Sequence, residues 1–184
     1  MSGGLVSKEQ DMDGKHPLAL ERAAANPNNR ISVSSPAIHG TISKMQSAYG
    51  EGVSPELWWD RVEGAKSYAL ILEDPDARSV TPFVHWVAYN IPADRTSLPE
   101  GLQEQERLTE PADLMQGKTS KGSVGYFGPR PPVGDPPHHY HFQVFALDTM
   151  LAVPPGADRD AVLAAMKGHV IARGEHVGLY QRTR

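Results

Sequence analysis

The chain contains no cysteine, which excludes disulfides, thiol nucleophiles and thiolate-bound zinc. Its apolar runs are only a few residues long, against the roughly 20 that a transmembrane helix needs. Basic charge is not in excess: 18 Lys and Arg stand against 22 Asp and Glu, a formal net charge of −4. That balance argues against broad binding to nucleic acid or to anionic membranes, but leaves room for a small local anion site. The opening residues MSGGLVSKEQDMDG lack the apolar centre of a signal peptide, so a cytoplasmic location is expected. There is also no GxSxG elbow and no P-loop lysine, so the expectation is a protein that is not an enzyme and carries no cofactor or metal.

What the chain does contain is punctuation. Its 184 residues include 17 glycines and 16 prolines, placed between short apolar segments. This is the pattern of an all-β domain with minor helices. Residues 1–30 read as a loosely structured N-terminal arm, with room for a short helix around Leu18–Ala25 that Pro27 would end. Residues 31–184 read as the domain. Three segments rich in aromatic and branched side chains predict strands: Ser67–Glu73, Phe83–Ile91 and His138–Leu147. Asp158–Gly168 has helical spacing, with Val162, Ala165, Met166 and His169 on one side. Gly178–Arg182 reads as a last strand. The stretch from Pro92 to Pro137 is mostly loop, and loops of that length in compact domains tend to be functional. Trp58, Trp59 and Trp86 are assigned to the core.

Strand side chains alternate, so parity assigns them to faces. In the third strand His138 and Tyr140 share a face with Phe142, Val144 and Ala146, while His139, His141 and Gln143 take the other and meet water. In the second, His85 shares its face with Phe83, Val87 and Tyr89. In the first, Asp74 continues the face of Tyr68, Leu70 and Leu72. If the three strands are neighbours, Asp74, His85, His138 and Tyr140 converge on one pocket. A carboxylate beside histidine favours the imidazolium and fixes its orientation. Imidazole N–H and phenol O–H groups suit a small oxyanion. The segment Gly125–Gly134 (GYFGPRPPVG) has the glycines to bring backbone N–H groups close to the same point. The chemistry indicated is binding of phosphate, carboxylate or a phosphate ester.

Five motifs in order carry a family resemblance. They are Ser54-Pro55-Glu56-Leu57-Trp58-Trp59, Asp74-Pro75-Asp76-Ala77, His85-Trp86, Gly125-Tyr126-Phe127-Gly128-Pro129-Arg130-Pro131-Pro132 with His138-His139-Tyr140, and Gly168-His169-Val170-Ile171-Ala172. Together they resemble the phosphatidylethanolamine-binding proteins, or Raf kinase inhibitor-like proteins, in their bacterial and archaeal branch, over roughly residues 31 to 182. The resemblance implies an antiparallel β-sandwich with a helix near the C-terminal end and an anion pocket at one end. It carries ligand contacts onto Asp74, Asp76, His85, Arg130, Pro131, His138 and Tyr140, and implies a homodimer. Two positions depart from the family pattern: Arg78 replaces the proline that closes the DPDAP turn, and Arg130 precedes the paired prolines. Either arginine adds charge at the pocket rim or points into water.

The reading that follows is a regulatory binding module for a small anionic or phospho-ligand, with no nucleic-acid partner and no stable membrane insertion. Two alternatives stay beside it. One is a pocket hydrolase in which His85, oriented by Asp74, is general base. The other is a metalloenzyme using His85, His138, His139 and His141, which parity disfavours by splitting those histidines between faces.

Overall fold

The computed structural model describes residues 17–23 and 29–183. Within it lie a helical turn α1 (Ala19–Arg22), strands β1 (Val33–Ser34), β2 (Leu57–Trp59), β3 (Ser67–Asp74), β4 (Phe83–Pro92), β5 (Ser97–Leu98), β6 (Met115–Gln116) and β7 (His138–Leu147), helix α2 (Arg159–Met166), and strand β8 (Val170–Tyr180). All named pairings are antiparallel. They form a five-stranded sheet in the order β6-β4-β3-β7-β8 and a three-stranded sheet in the order β1-β2-β5. The three strands expected from the sequence are therefore the three central neighbours of the large sheet.

That sheet is buried on both faces. Tyr68, Leu70, Leu72, Trp86, Phe142 and Val144 pack toward Leu57 and Trp59 of the small sheet. On the opposite side Ala69, Ile71, Val87, Tyr89 and Phe145 pack against Ala19 of α1 and against Val162 and Met166 of α2. Every residue of β3 is buried as a result. A strand covered on both sides needs no polar alternation, which is why SYALIL reads as one continuous apolar run. The start of α2 is set by Asp158, whose carboxylate accepts the Ala161 N–H at 2.9 Å.

Strand β4 breaks the simple parity. Leu72 pairs with Trp86 while Glu73 pairs with Val84, so His85 is an extra residue in β4 opposite a single step of β3. This bulge turns His85 and Trp86 to the same side of the sheet. Val87 and Tyr89 consequently belong to the helix-covered face and do not share one with His85 as expected. A second bulge lies between Tyr68 and Leu70, where β4 inserts Asn90 with φ of 53°. Asn90 exchanges side-chain hydrogen bonds with the backbone of Leu151, which holds that unusual conformation.

Four further expectations are corrected. Helix α2 ends at Met166, so His169 lies beyond it, exposed and bonded to Asp148. Trp58 is 48% exposed, its indole N–H capped by Glu56. His141 is largely covered and bonds Glu175, so of the two histidines only His139 is freely exposed. The last strand runs over Val170–Tyr180, where Gly174 reads as a break in sequence. It is a glycine because a Cβ there would collide with the Ile31 carbonyl oxygen.

Of the arm, residues 1–16 and 24–28 lie outside the described part. Residues 17–23 are docked. The Ala19 N–H donates to Glu73 and the Leu20 N–H to Gln143, each at 2.7 Å, and Arg173 donates to the carbonyls of Leu20 and Ala23. Glu73 is fully buried and also accepts from Gln143 at 2.8 Å and from Arg159 of α2 at 2.5 Å. Farther on, the chain runs twice along the outer edge of β8. Ile31 and Asn29 bond Arg173, and Ile42 and Gly40 bond Leu179, at 2.8–3.2 Å.

Candidate functional site

At one end of the large sheet the strands stop short of the loops that join them, leaving a cavity of about 370 Å³. This volume lies within the range of small-molecule sites, roughly 300–1,000 Å³. Its walls include Asp74 from the end of β3, Phe83 and His85 from β4, His138 from the start of β7, and Phe127, Arg130 and Pro131 from the glycine- and proline-rich loop. Arg78 and Lys121 stand at its edge.

The order of contacts differs from the expected one. Asp74 is the partner of His138, not of His85: its carboxylate lies 2.8 Å from His138 Nδ1, with both side chains almost fully buried. The other nitrogen, Nε2, is 3.4 Å from Asp135. His85 is oriented instead by the Phe127 carbonyl oxygen, 2.7 Å from its Nδ1. A carbonyl can only accept, so Nδ1 carries the hydrogen and Nε2 of the neutral ring keeps a lone pair. Phe127 stacks on the imidazole, its centroid 5.5 Å away and its plane 6° off parallel, and Phe83 lies 4.8 Å away on a tilted plane. Burial in this aromatic cage pulls the His85 pKa down to about 4. Hydrogen bonding to Phe127 and the Asp74 charge oppose the shift without cancelling it. His85 is therefore neutral at neutral pH.

Tyr140 stands edge-on to His85, centroids 5.2 Å apart, and stacks on His138 at 6.4 Å. Its hydroxyl is buried near the Asp74 carboxylate without a hydrogen bond of ordinary geometry. Burial first, then the Asp74 charge, push the phenol pKa upward, so the hydroxyl remains a donor.

Asp76 is not part of the cavity wall. Its carboxylate accepts both the backbone N–H and the ring Nδ1 of His139 at 2.8 Å, a clasp between the β3–β4 turn and β7. Asp74 completes the turn by accepting the Asp76 N–H through its other oxygen at 2.8 Å. Of the seven ligand-contact residues, then, Asp74, His85, Arg130, Pro131 and His138 line one cavity. Tyr140 lies against two of them, and Asp76 braces the turn. His139 and His141 point away, toward Asp76 and Glu175. Among the described residues no three His, Asp or Glu side chains group as a metal site would.

Three contributors were missed in sequence. Lys121 places its ammonium 4.8 Å from the Phe127 centroid, Asp135 bridges Arg78 and His138, and Phe127 both orients and covers His85. Asp135 had a readable signal, an acid followed by two prolines three residues before His138. Arg78 sits 2.6 Å from Asp135 and holds its carboxyl below the usual range. The arginine that departs from the family turn is thus a rim residue.

The loop is fixed from behind. Tyr126 donates to the Gln46 carbonyl at 2.8 Å and Tyr49 to the Pro131 carbonyl at 2.9 Å. Gly128 passes so close to the turn at Gln46–Ala48 that a Cβ would overlap the Gln46 carbonyl and stand 2.7 Å from the Ser47 carbonyl carbon. Gly128→Ala should lower stability by about 1–3 kcal/mol in urea denaturation, because backbone on both sides must move. A loss below 0.5 kcal/mol would show that the loop shifts freely.

Comparison with known proteins agrees with this architecture. The model of the phosphatidylethanolamine-binding protein family matches residues 26–181. The chain belongs to that family. A UPF0098 protein of Methanothermobacter thermautotrophicus is 46% identical over 144 residues, which cover 78% of this chain and 92% of the relative. Another, from Pyrococcus horikoshii, is 42% identical over 173 residues, covering 92% and 80%. Among solved structures, a phosphatidylethanolamine-binding protein homolog from Chlamydia trachomatis superposes with a TM-score of 0.73 at 35% identity, covering 84% of this chain and 99% of that one. E. coli YbcL, a member of the mammalian PEBP family, gives 0.77 at 32%, covering 83% and 99%. In this family member no helix among the described residues is long and apolar enough to cross a membrane.

Proposed function

We propose that the cavity binds a small phospho-group, such as phosphate or a phosphate monoester, and holds it without chemistry. The observation that carries this reading is the neutral His85 with its Nδ1 hydrogen committed to Phe127. A monoanionic phosphate ester can give its P–OH hydrogen to Nε2 while its charged oxygens meet the cations at the rim. Family membership supports a ligand-binding role. The same geometry weighs against His85 as a general base. A ring with a pKa near 4 takes up a proton weakly at neutral pH, and Asp74 is spent on His138 instead of orienting it.

Titration with phosphate and ethyl phosphate, followed by calorimetry and by the imidazole resonances, tests the reading. The His85 signals should move at millimolar ligand, and His85→Ala should weaken binding at least tenfold. Unmoved His85 signals at those concentrations reject it. Ester turnover that disappears in His85→Ala would reject the non-catalytic part.

A further inference from the structure

The cavity is much larger than one tetrahedral anion, and its charges are unevenly satisfied. Arg78 is paired with Asp135 at 2.6 Å, and Asp74 with His138 at 2.8 Å. Lys121 and Arg130 also line the cavity, both exposed, and neither has a carboxylate partner among the described residues. The Lys121 ammonium lies 4.8 Å over the face of Phe127, the ring that covers His85. Two uncompensated cations therefore stand at the mouth of a site whose inner end holds a neutral imidazole.

We infer that the ligand carries two acidic groups: a phosphate at His85 and a second anion, carboxylate or phosphate, held at the rim by Lys121 and Arg130. The inference rests on the anion-binding reading of the same cavity. Its physical basis is charge complementarity. A planar guanidinium takes a carboxylate through two parallel hydrogen bonds, and an ammonium adds a point charge beside it. An ammonium on the ligand would meet the same two cations as repulsion, weakened by solvent because both are exposed. The apolar lining contributed by Phe83, Phe127 and Pro131 suits a short carbon linker between the two anionic groups.

Three probes separate the parts of the inference. Ethyl phosphate carries the phosphate alone, phosphoglycolate adds a carboxylate, and phosphorylethanolamine adds an ammonium. Calorimetry on the whole chain should find phosphoglycolate about tenfold tighter than ethyl phosphate, and phosphorylethanolamine the weakest. In the double variant Lys121→Gln, Arg130→Gln the advantage of phosphoglycolate should shrink to within about twofold. Raising salt from 50 to 500 mM should erode the same advantage in the unmodified chain. Equal binding of all three probes, or tighter binding of phosphorylethanolamine, overturns the inference while leaving the anion reading intact. An advantage that survives the double variant overturns it as well. No binding of any probe with His85 unmoved rejects both.

Discussion

Arg159→Met should destabilise the protein by about 3–5 kcal/mol, the largest single effect expected. Arg159 is the cation facing Glu73, which is fully buried between β3 and α2. Methionine matches much of the arginine stem in volume, so the change is chiefly electrostatic. It leaves a carboxylate with the Gln143 amide and the Ala19 N–H as hydrogen-bond donors but no compensating charge. Removing both charges together in Glu73→Gln, Arg159→Met should recover most of the loss, because the costly species is the orphaned ion. Urea unfolding of the four proteins of this cycle gives the coupling directly. A single-variant loss below 1 kcal/mol would mean that water reaches Glu73, and the arm would then be an ornament rather than part of the seal.

The second large effect is a stability that falls with acid. The folded pKa of His85 is about 4 against an ordinary 6.5. Above pH 6.5 the ring is neutral whether the chain is folded or not, and it contributes no pH dependence. Between pH 6.5 and 4 the unfolded chain takes up a proton that the folded chain refuses, so unfolding becomes easier. Below pH 4 this group adds nothing more. The total is about 3 kcal/mol. His85→Asn keeps a donor within reach of the Phe127 carbonyl and cannot titrate. Between pH 7 and 4 it should lose about 3 kcal/mol less than the unmodified protein in denaturant titrations. Parallel losses in the two proteins would show that the ring protonates freely in the folded state.

Much of the domain was legible because its central strands are written in the sequence as aromatic and branched runs. The limits of β7 coincide with those expected, and β3 and β4 differ by one residue each. Convergence of Asp74, His85, His138 and Tyr140 was legible for a different reason: motifs in a fixed order made the strands neighbours, and parity did the rest. Parity failed where the backbone did not alternate. The extra residue at His85 shows only in the register, where Leu72 meets Trp86 and Glu73 meets Val84, and no residue type announces it. It left the pocket side correct and sent Val87 and Tyr89 to the wrong face. Which histidine Asp74 would hold was beyond reach, since both lie on its side of the sheet. Asp76 braces the turn through His139, a role not legible in sequence because a turn-forming acid and a ligand-binding acid look alike there. The docking of Ala19 and Leu20 was invisible, for it uses main-chain N–H groups that every residue except proline has.

The two passes of chain along β8 have a consequence for how the protein behaves when crowded. An outermost strand normally offers its unpaired N–H and C=O groups to any extended peptide that drifts by, and so seeds fibrils. Here the residues around Ile31 and Ile42 occupy that rail at both ends, and the Gly174 and Gly178 positions let them approach within touching distance. A concentrated solution of this protein has lost one of its handholds for stacking sheet upon sheet, by means of a few residues that belong to no strand of the large sheet.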